Sequence, residues 1–282
     1  MRTKRHLNCQ LSHSRRAYRQ DDYRRKVEIA ISKGLGRMDV TPYRPWISVA
    51  FSSKGFVTRH PDPVTGFAIH ALSSGESDWV RTLLSLPGHL GLFSQVALPR
   101  QDTMRIAKEM GRKYPFFPDH KTPLVMTTDL VQVRWDDGKR KLFAYSVKKA
   151  PNLPEVQVRK LEIEGAYWRE LGVPWRLVYR TDAPQNRIRN YRWFENYLPT
   201  SPLIPFKARW REIERVLYPL VNSDLTLAAA CEKADAILSL PEGASLSQVR
   251  FYLCSRIWSV DLDVIISSFR PLVLLERNLG AL

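Results

Sequence analysis

Residues Thr127–Lys148 read TTDLVQVRWDDGKRKLFAYSVK, and the way this stretch folds decides the rest. Leu124, Val125, Leu130, Val131 and Val133 load a first strand with apolar and β-branched residues, and Phe143, Tyr145 and Val147 alternate with smaller or polar ones on a second. Between them, Asp136-Asp137-Gly138 signals a hairpin, because glycine accepts the positive φ that a two-residue turn needs. With Asp137-Gly138 at the turn centre, Asp129 lies across from Ser146, and Lys148, one pleat further on, points to the same face. A one-residue bulge would break that parity. A carboxylate so placed can hold a divalent cation such as Mg²⁺ through hard oxygens. The lysine can orient a water or offset charge on a phosphate oxygen. The same pair can equally be an ordinary surface ion pair, so the neighbouring residues must decide.

The chain has 282 residues, room for one large domain or two ordinary ones, and its 44% hydrophobic content is that of a folded protein. Its net charge of +16 must face water or a polyanion, and nucleic acid is the natural partner. Cys9, Cys231 and Cys254 have no CxxC spacing and leave an odd count, against a disulfide scaffold or a zinc site and consistent with a reducing compartment. The expected location is cytoplasmic and, for a DNA partner, nucleoid-associated. The histidines are scattered singly, without metal-ligand spacing. The basic N-terminus lacks the apolar core of a signal peptide, and no apolar run is long enough to span a bilayer.

Residues 1–40 form a basic arm and helix, the helix running from Arg15 to Lys33 and stopping at Gly34 and Gly36. Arg15, Arg16 and Arg19 there are candidates for DNA-backbone contact, or for a solvated helix face. Strands are expected through Ile47, Val49 and Phe51, around Phe56 and Val57, and over Phe67 to Leu72. A helix opens at Ser74-Gly75-Glu76, where Glu76 also suits the helix dipole. A strand over 92–99 and a helix from Thr103 to Met110 precede the central hairpin. After it, a helix begins at Pro154 and ends near Gly172, its apolar stripe marked by Leu161, Tyr167, Trp168 and Leu171. Glu164 lies on that stripe and must find a cation such as Lys148, a metal, another donor, or a solvent-accessible rim. Pro174–Tyr179 is a final strand, and the order implies a mixed sheet flanked by helices, an α/β (α+β) fold over 41–182.

A polar, arginine-rich stretch follows, read as a linker over 183–204, with Lys149, Arg187 and Arg189 as further candidate DNA contacts. Residues 205–282 turn mainly helical: stripes at Trp210–Leu217 and Leu225–Ile237, then a helix starting at Ser245 or Ser247. Short strands over 262–266 and 272–275 complete the order of a winged helix. Its third helix, with Gln248, Arg250 and Arg256, can read DNA or dock a protein.

These residues carry a family likeness. Ser73-Ser74-Gly75-Glu76, Thr127-Thr128-Asp129, Val147-Lys148, and Lys160-Leu161-Glu162-Ile163-Glu164 with Tyr167-Trp168, followed by Pro174-Trp175, resemble the TnsA endonucleases of heteromeric cut-and-paste transposons. The likeness covers most of residues 45–182 and implies a restriction-endonuclease-like catalytic half. It implies that Glu76 and Asp129 bind Mg²⁺ (or Mn²⁺) with the backbone carbonyl of Val147, that Lys148 activates water or stabilises charge, and that Glu164 supports the site. The usual nuclease pattern places an acidic or amide residue two before the lysine, whereas this chain has Ser146. The activity implied is hydrolysis at transposon 5′ ends beside a DDE-type partner transposase, with the C-terminal half binding an AAA+ ATPase regulator. Two alternatives stay open: a DNA-binding scaffold with an inactive site, and a stand-alone restriction or junction-type nuclease.

Overall fold

A computed structural model describes residues 24–48, 57–117, 121–199, 201–204 and 206–281. They fall into two units, one of residues up to 62, 67–80 and 88–181, the other of 63–66, 81–87 and 182–282.

In the first unit, helix α1 (24–32) stops at Gly34 and Gly36, as expected. Strands β1 (Thr58–Pro61) and β2 (Ala68–Ala71) pair with each other. Helix α2 (Ser74–Leu84), β3 (His89–Ala97) and α3 (Arg100–Glu109) follow. Then come β4 (Thr127–Asp136), β5 (Lys139–Lys148), α4 (Glu155–Glu170) and β6 (Trp175–Tyr179). The main sheet runs β3-β4-β5-β6. Its first three strands are antiparallel, while β6 is parallel to β5 and is reached through the α4 crossover. This is the mixed sheet flanked by helices read from the sequence. The expected strand through Val49 and Phe51 lies outside the described residues.

The hairpin forms as its turn dictates. Asp136 pairs with Lys139, and Asp137 and Gly138 both take positive φ (48° and 72°), the two-residue turn that matches strand twist. Pairing runs without a shift to Leu130 and Tyr145, so Asp129 and Ser146 come next on one face. On that face the cross-strand partners Val131 and Ala144 pack with Ile106 and Ala107 of α3 and Ile163 and Trp168 of α4. On the opposite face Tyr145 stacks on Trp79 of α2, ring centroids 6.4 Å apart. Gly165 lets α4 approach β6, since a Cβ there would stand 3.1 Å from the Trp175 ring.

The second unit is helical with a short antiparallel strand pair. Its elements are α5 (Gln185–Phe194), α6 (Trp210–Val221), α7 (Leu227–Ile237), α8 (Ala244–Cys254), β7 (Trp258–Val260) and β8 (Leu274–Arg277). Helix α5 corrects the linker expected over 183–204. Ile188, Tyr191 and Phe194, spaced at i, i+3 and i+6, are all buried, and that stripe outweighs the polar composition around it. The first strand of the pair starts at the buried Trp258 rather than at Leu262. The three residues singled out on and after α8 are engaged within the unit. Gln248 is fully buried. Arg250 lies over Trp193 and Tyr197 and donates to the Tyr197 hydroxyl at 2.6 Å. Arg256 donates to the Leu84 carbonyl at 2.7 Å. No helix among the described residues is long and apolar enough to cross a membrane.

Glu214 of α6 ties this unit together. It is 1% exposed and accepts from Trp258 Nε1 at 3.0 Å and from Arg277 Nε and Nη2 at 2.7 and 2.6 Å. Arg277 is itself about a third exposed, but removing it leaves the enclosed Glu214 carboxylate with Trp258 Nε1 alone among the described residues. Arg277→Met is therefore expected to cost about 3 kcal/mol. Breaking the exposed Arg209–Glu212 pair should cost less than about 1 kcal/mol. Urea unfolding of both variants measures the contrast.

Candidate functional site

The site grows from the open end of the β4–β5 hairpin. Asp129 Oδ2 accepts from the backbone N–H of Val147 at 2.8 Å and from Lys148 Nζ at 2.9 Å. Lys148 Nζ also donates to the Val147 carbonyl at 3.0 Å. Burial works against the charge on Lys148, but Asp129 outweighs it, by charge and by hydrogen bond, with Glu164 and Glu76 adding to it. The net result raises its pKa, so the side chain is an ammonium at neutral pH. It can donate and neutralise, but it cannot take a proton.

Glu76 enters from the first turn of α2. Ser73 caps that helix by accepting from Glu76 N at 3.1 Å, and Glu76 answers by accepting from Ser73 Oγ and Leu72 N, both at 3.0 Å. The helix-start reading of Glu76 and the site reading are thus both true of one side chain. Burial, and next the charge of Asp129, push its carboxyl up to about 7. Gln95 of β3 joins the two acids: its Nε2 donates to Glu76 Oε2 at 3.2 Å and to Asp129 Oδ1 at 3.4 Å. Sequence reasoning missed Gln95. No residue pattern marks it, since β3 also carries the polar His89 and Ser94.

Glu164, 4% exposed on α4, finds neutral donors rather than Lys148. Thr128 Oγ1 donates to its Oε1 at 2.7 Å, Ser146 Oγ at 2.5 Å and Trp175 Nε1 at 3.3 Å. Trp168 Nε1 donates to Thr128 Oγ1 at 2.7 Å, and Trp175 Nε1 also to Ser146 Oγ at 3.1 Å. An indole can only donate. Both hydroxyls therefore spend their protons on Glu164. Burial, then the charge of Asp129, push the Glu164 carboxyl up to about 7.

Two comparisons bear on this constellation. The family described as "TnsA-like endonuclease N terminal" matches residues 92–180, a span that holds Gln95, Asp129, Ser146, Lys148 and Glu164. The transposon Tn7 transposition protein TnsA of Escherichia coli is 29% identical over 231 residues, 80% of this chain and 82% of that protein. Over residues 92–180 the chain is similar to the TnsA-like N-terminal endonuclease family. Glu76 precedes the family match but falls within the unit that holds the other site residues.

The candidate DNA-contact residues are placed as follows. Arg15, Arg16 and Arg19 lie outside the described residues. Lys149 and Arg189 are exposed, while Arg187 is held by Asp263 at 2.6 Å. Among the described residues no three His, Cys, Asp or Glu side chains cluster as a metal site. His89 is buried against Asp62 at 3.1 Å. Burial pushes the Cys231 and Cys254 thiols up to about 12, leaving them inert.

The folded protein holds the Glu164 proton more tightly than the unfolded chain does. Stability from this group is therefore complete below about pH 4.5 and is lost as pH rises to about 7. Urea unfolding at about pH 5 and about pH 8 should show that decline, and Glu164→Gln should reduce it, the remainder belonging to Glu76, which is also pushed up to about 7. Gly165→Ala should weaken the same network by driving Trp175 off Ser146 and Glu164, against the roughly 1 kcal/mol that alanine otherwise gains in a helix. A net loss in melting temperature is the expected reading.

Proposed function

We propose that this chain is a Mg²⁺-dependent DNA endonuclease that hydrolyses phosphodiester bonds at the 5′ ends of a transposon. In this reading it acts beside a DDE-type transposase, and residues 205–282 engage an AAA+ ATPase regulator. The observation that carries the chemistry is the junction at Asp129, where one carboxylate meets Lys148, the Val147 amide and, through Gln95, Glu76. The similarity to a Tn7 transposition protein carries the biological setting.

The donor set suits a hard divalent cation. Glu76, Asp129 and the Val147 carbonyl are all oxygen donors. Two converging carboxylates, one of them pushed up to about 7, are a pair that a cation would relieve. Lys148 Nζ and Gln95 Nε2 now stand against the same oxygens as substitutes. When bound, Mg²⁺ would polarise the scissile phosphate and acidify a water. Lys148 stays protonated, so its part is to hold the attacking water or offset charge gathering on the phosphate oxygens. Asp129 keeps Lys148 and β5 in place, and Glu164 holds Ser146 and thereby the strand that carries both Val147 and Lys148. The net charge of +16 supplies attraction for the DNA backbone.

Asp129→Ala and Lys148→Ala should each lower Mg²⁺-dependent cleavage of an end-containing duplex by at least about 10²-fold while leaving DNA binding intact. The chain alone should cut weakly, with stimulation by the partner transposase. Retained cutting by both variants would remove the site. Affinity for DNA should fall about 10³-fold between about 50 and about 200 mM salt if about six phosphates are contacted. A flat salt profile in a binding titration would assign the positive charge to another use.

A further inference from the structure

Ser146 is the departure from the usual nuclease pattern, and its hydroxyl is turned to its neighbours. It donates a hydrogen bond to Glu164 and accepts one from Trp175. The acidic or amide oxygen that the pattern places two before the lysine is therefore missing from β5. An amide stands instead on the neighbouring side of Asp129. Gln95 is 3% exposed, and its Nε2 touches both carboxylates that the proposed function gives to Mg²⁺.

We propose that Gln95 is a side-chain ligand of the divalent cation, supplying from β3 the amide oxygen that Ser146 does not supply from β5. The inference rests on the cation reading given above. An amide that aims N–H groups at two carboxylates suits them only while no cation lies between. With a cation on Glu76 and Asp129, those N–H dipoles face the wrong way. The last torsion of a glutamine is broad and roughly two-fold, so a half-turn exchanges Nε2 and Oε1 in nearly the same volume.

The exchange gives up little. Among the described residues Oε1 accepts from Thr127 Oγ1 alone, at 3.5 Å, the outer limit of a hydrogen bond. After the turn, Nε2 can donate to that same hydroxyl, since a hydroxyl both gives and accepts. The backbone points the same way. Gln95 takes a φ of 54° in the middle of a strand, which costs a non-glycine residue about 1 kcal/mol or more. Its carbonyl turns to accept from Trp46 N at 3.0 Å instead of continuing the ladder. That distortion aims the side chain at the two acids.

The test uses the full chain without DNA or partners. Mn²⁺ binding is measured by calorimetry for the wild type, Gln95→Leu, Gln95→Glu and Asp129→Asn, with thermal unfolding in chelator as the control for folding. Gln95→Leu, equal in size but without an oxygen, should weaken Mn²⁺ binding about tenfold or more. Gln95→Glu, whose oxygens need no reversal, should bind at least as tightly as the wild type. In wild-type protein with ¹³C- and ¹⁵N-labelled glutamine, Mg²⁺ should move the side-chain Cδ and Nε2 resonances of Gln95. Those resonances are assigned by their loss in Gln95→Glu, so this reading stands even if Gln95→Leu does not fold. Wild-type Mn²⁺ affinity in a folded Gln95→Leu, or Gln95 resonances unmoved at saturating Mg²⁺, would overturn the ligand role. If Asp129→Asn still loses the metal, the cation reading survives that result. A wild type that binds no Mn²⁺ overturns both.

Discussion

One carboxylate oxygen, Asp129 Oδ2, carries the organisation of the first unit's open end. It takes the Val147 N–H that would otherwise continue the ladder, and it takes the Lys148 ammonium as well. A side chain of β4 thus extends the pairing with β5 past the last backbone match at Leu130 and Tyr145. The price of that substitution is a half-buried carboxylate, which must be met by donors from every side. Lys148 and the Val147 amide meet one oxygen and Gln95 meets the other, while Glu76 is drawn into the same small volume.

This concentration explains why acidity is displaced here. Three carboxylates sit close enough for Asp129 to raise the pKa of both Glu76 and Glu164, after burial has already done so. A site built this way is held under electrostatic tension, with cationic and dipolar groups offsetting part of it. The second carboxylate, Glu164, is contained by a different device, a chain of indole and hydroxyl donors that is entirely neutral.

Much of the first unit was legible because local signals agree with one another. The two-residue turn at Asp137-Gly138 sets the register, and the register sets which face Asp129, Ser146 and Lys148 share. The α4 limits were readable from Pro154 and Gly172. Gln95 was not legible, because its role comes from a backbone turned to positive φ within a strand, and no residue pattern announces that for a glutamine. In the second unit the order of helices was readable but their exposure was not. The arginine of α8 suggests a surface, yet Arg250 packs its guanidinium over aromatic rings and Gln248 is enclosed. The linker reading over 183–204 failed for a related reason: a few well-spaced apolar residues, Ile188, Tyr191 and Phe194, make α5 fold despite its polar neighbours.

The fixed direction of the donors around Glu164 also limits the routes by which this sequence can change. An acid placed at position 146 by a single substitution would set two carboxylates facing each other in an enclosed interior, with the Trp175 indole between them. Position 146 therefore accommodates an acid only together with a change at position 164.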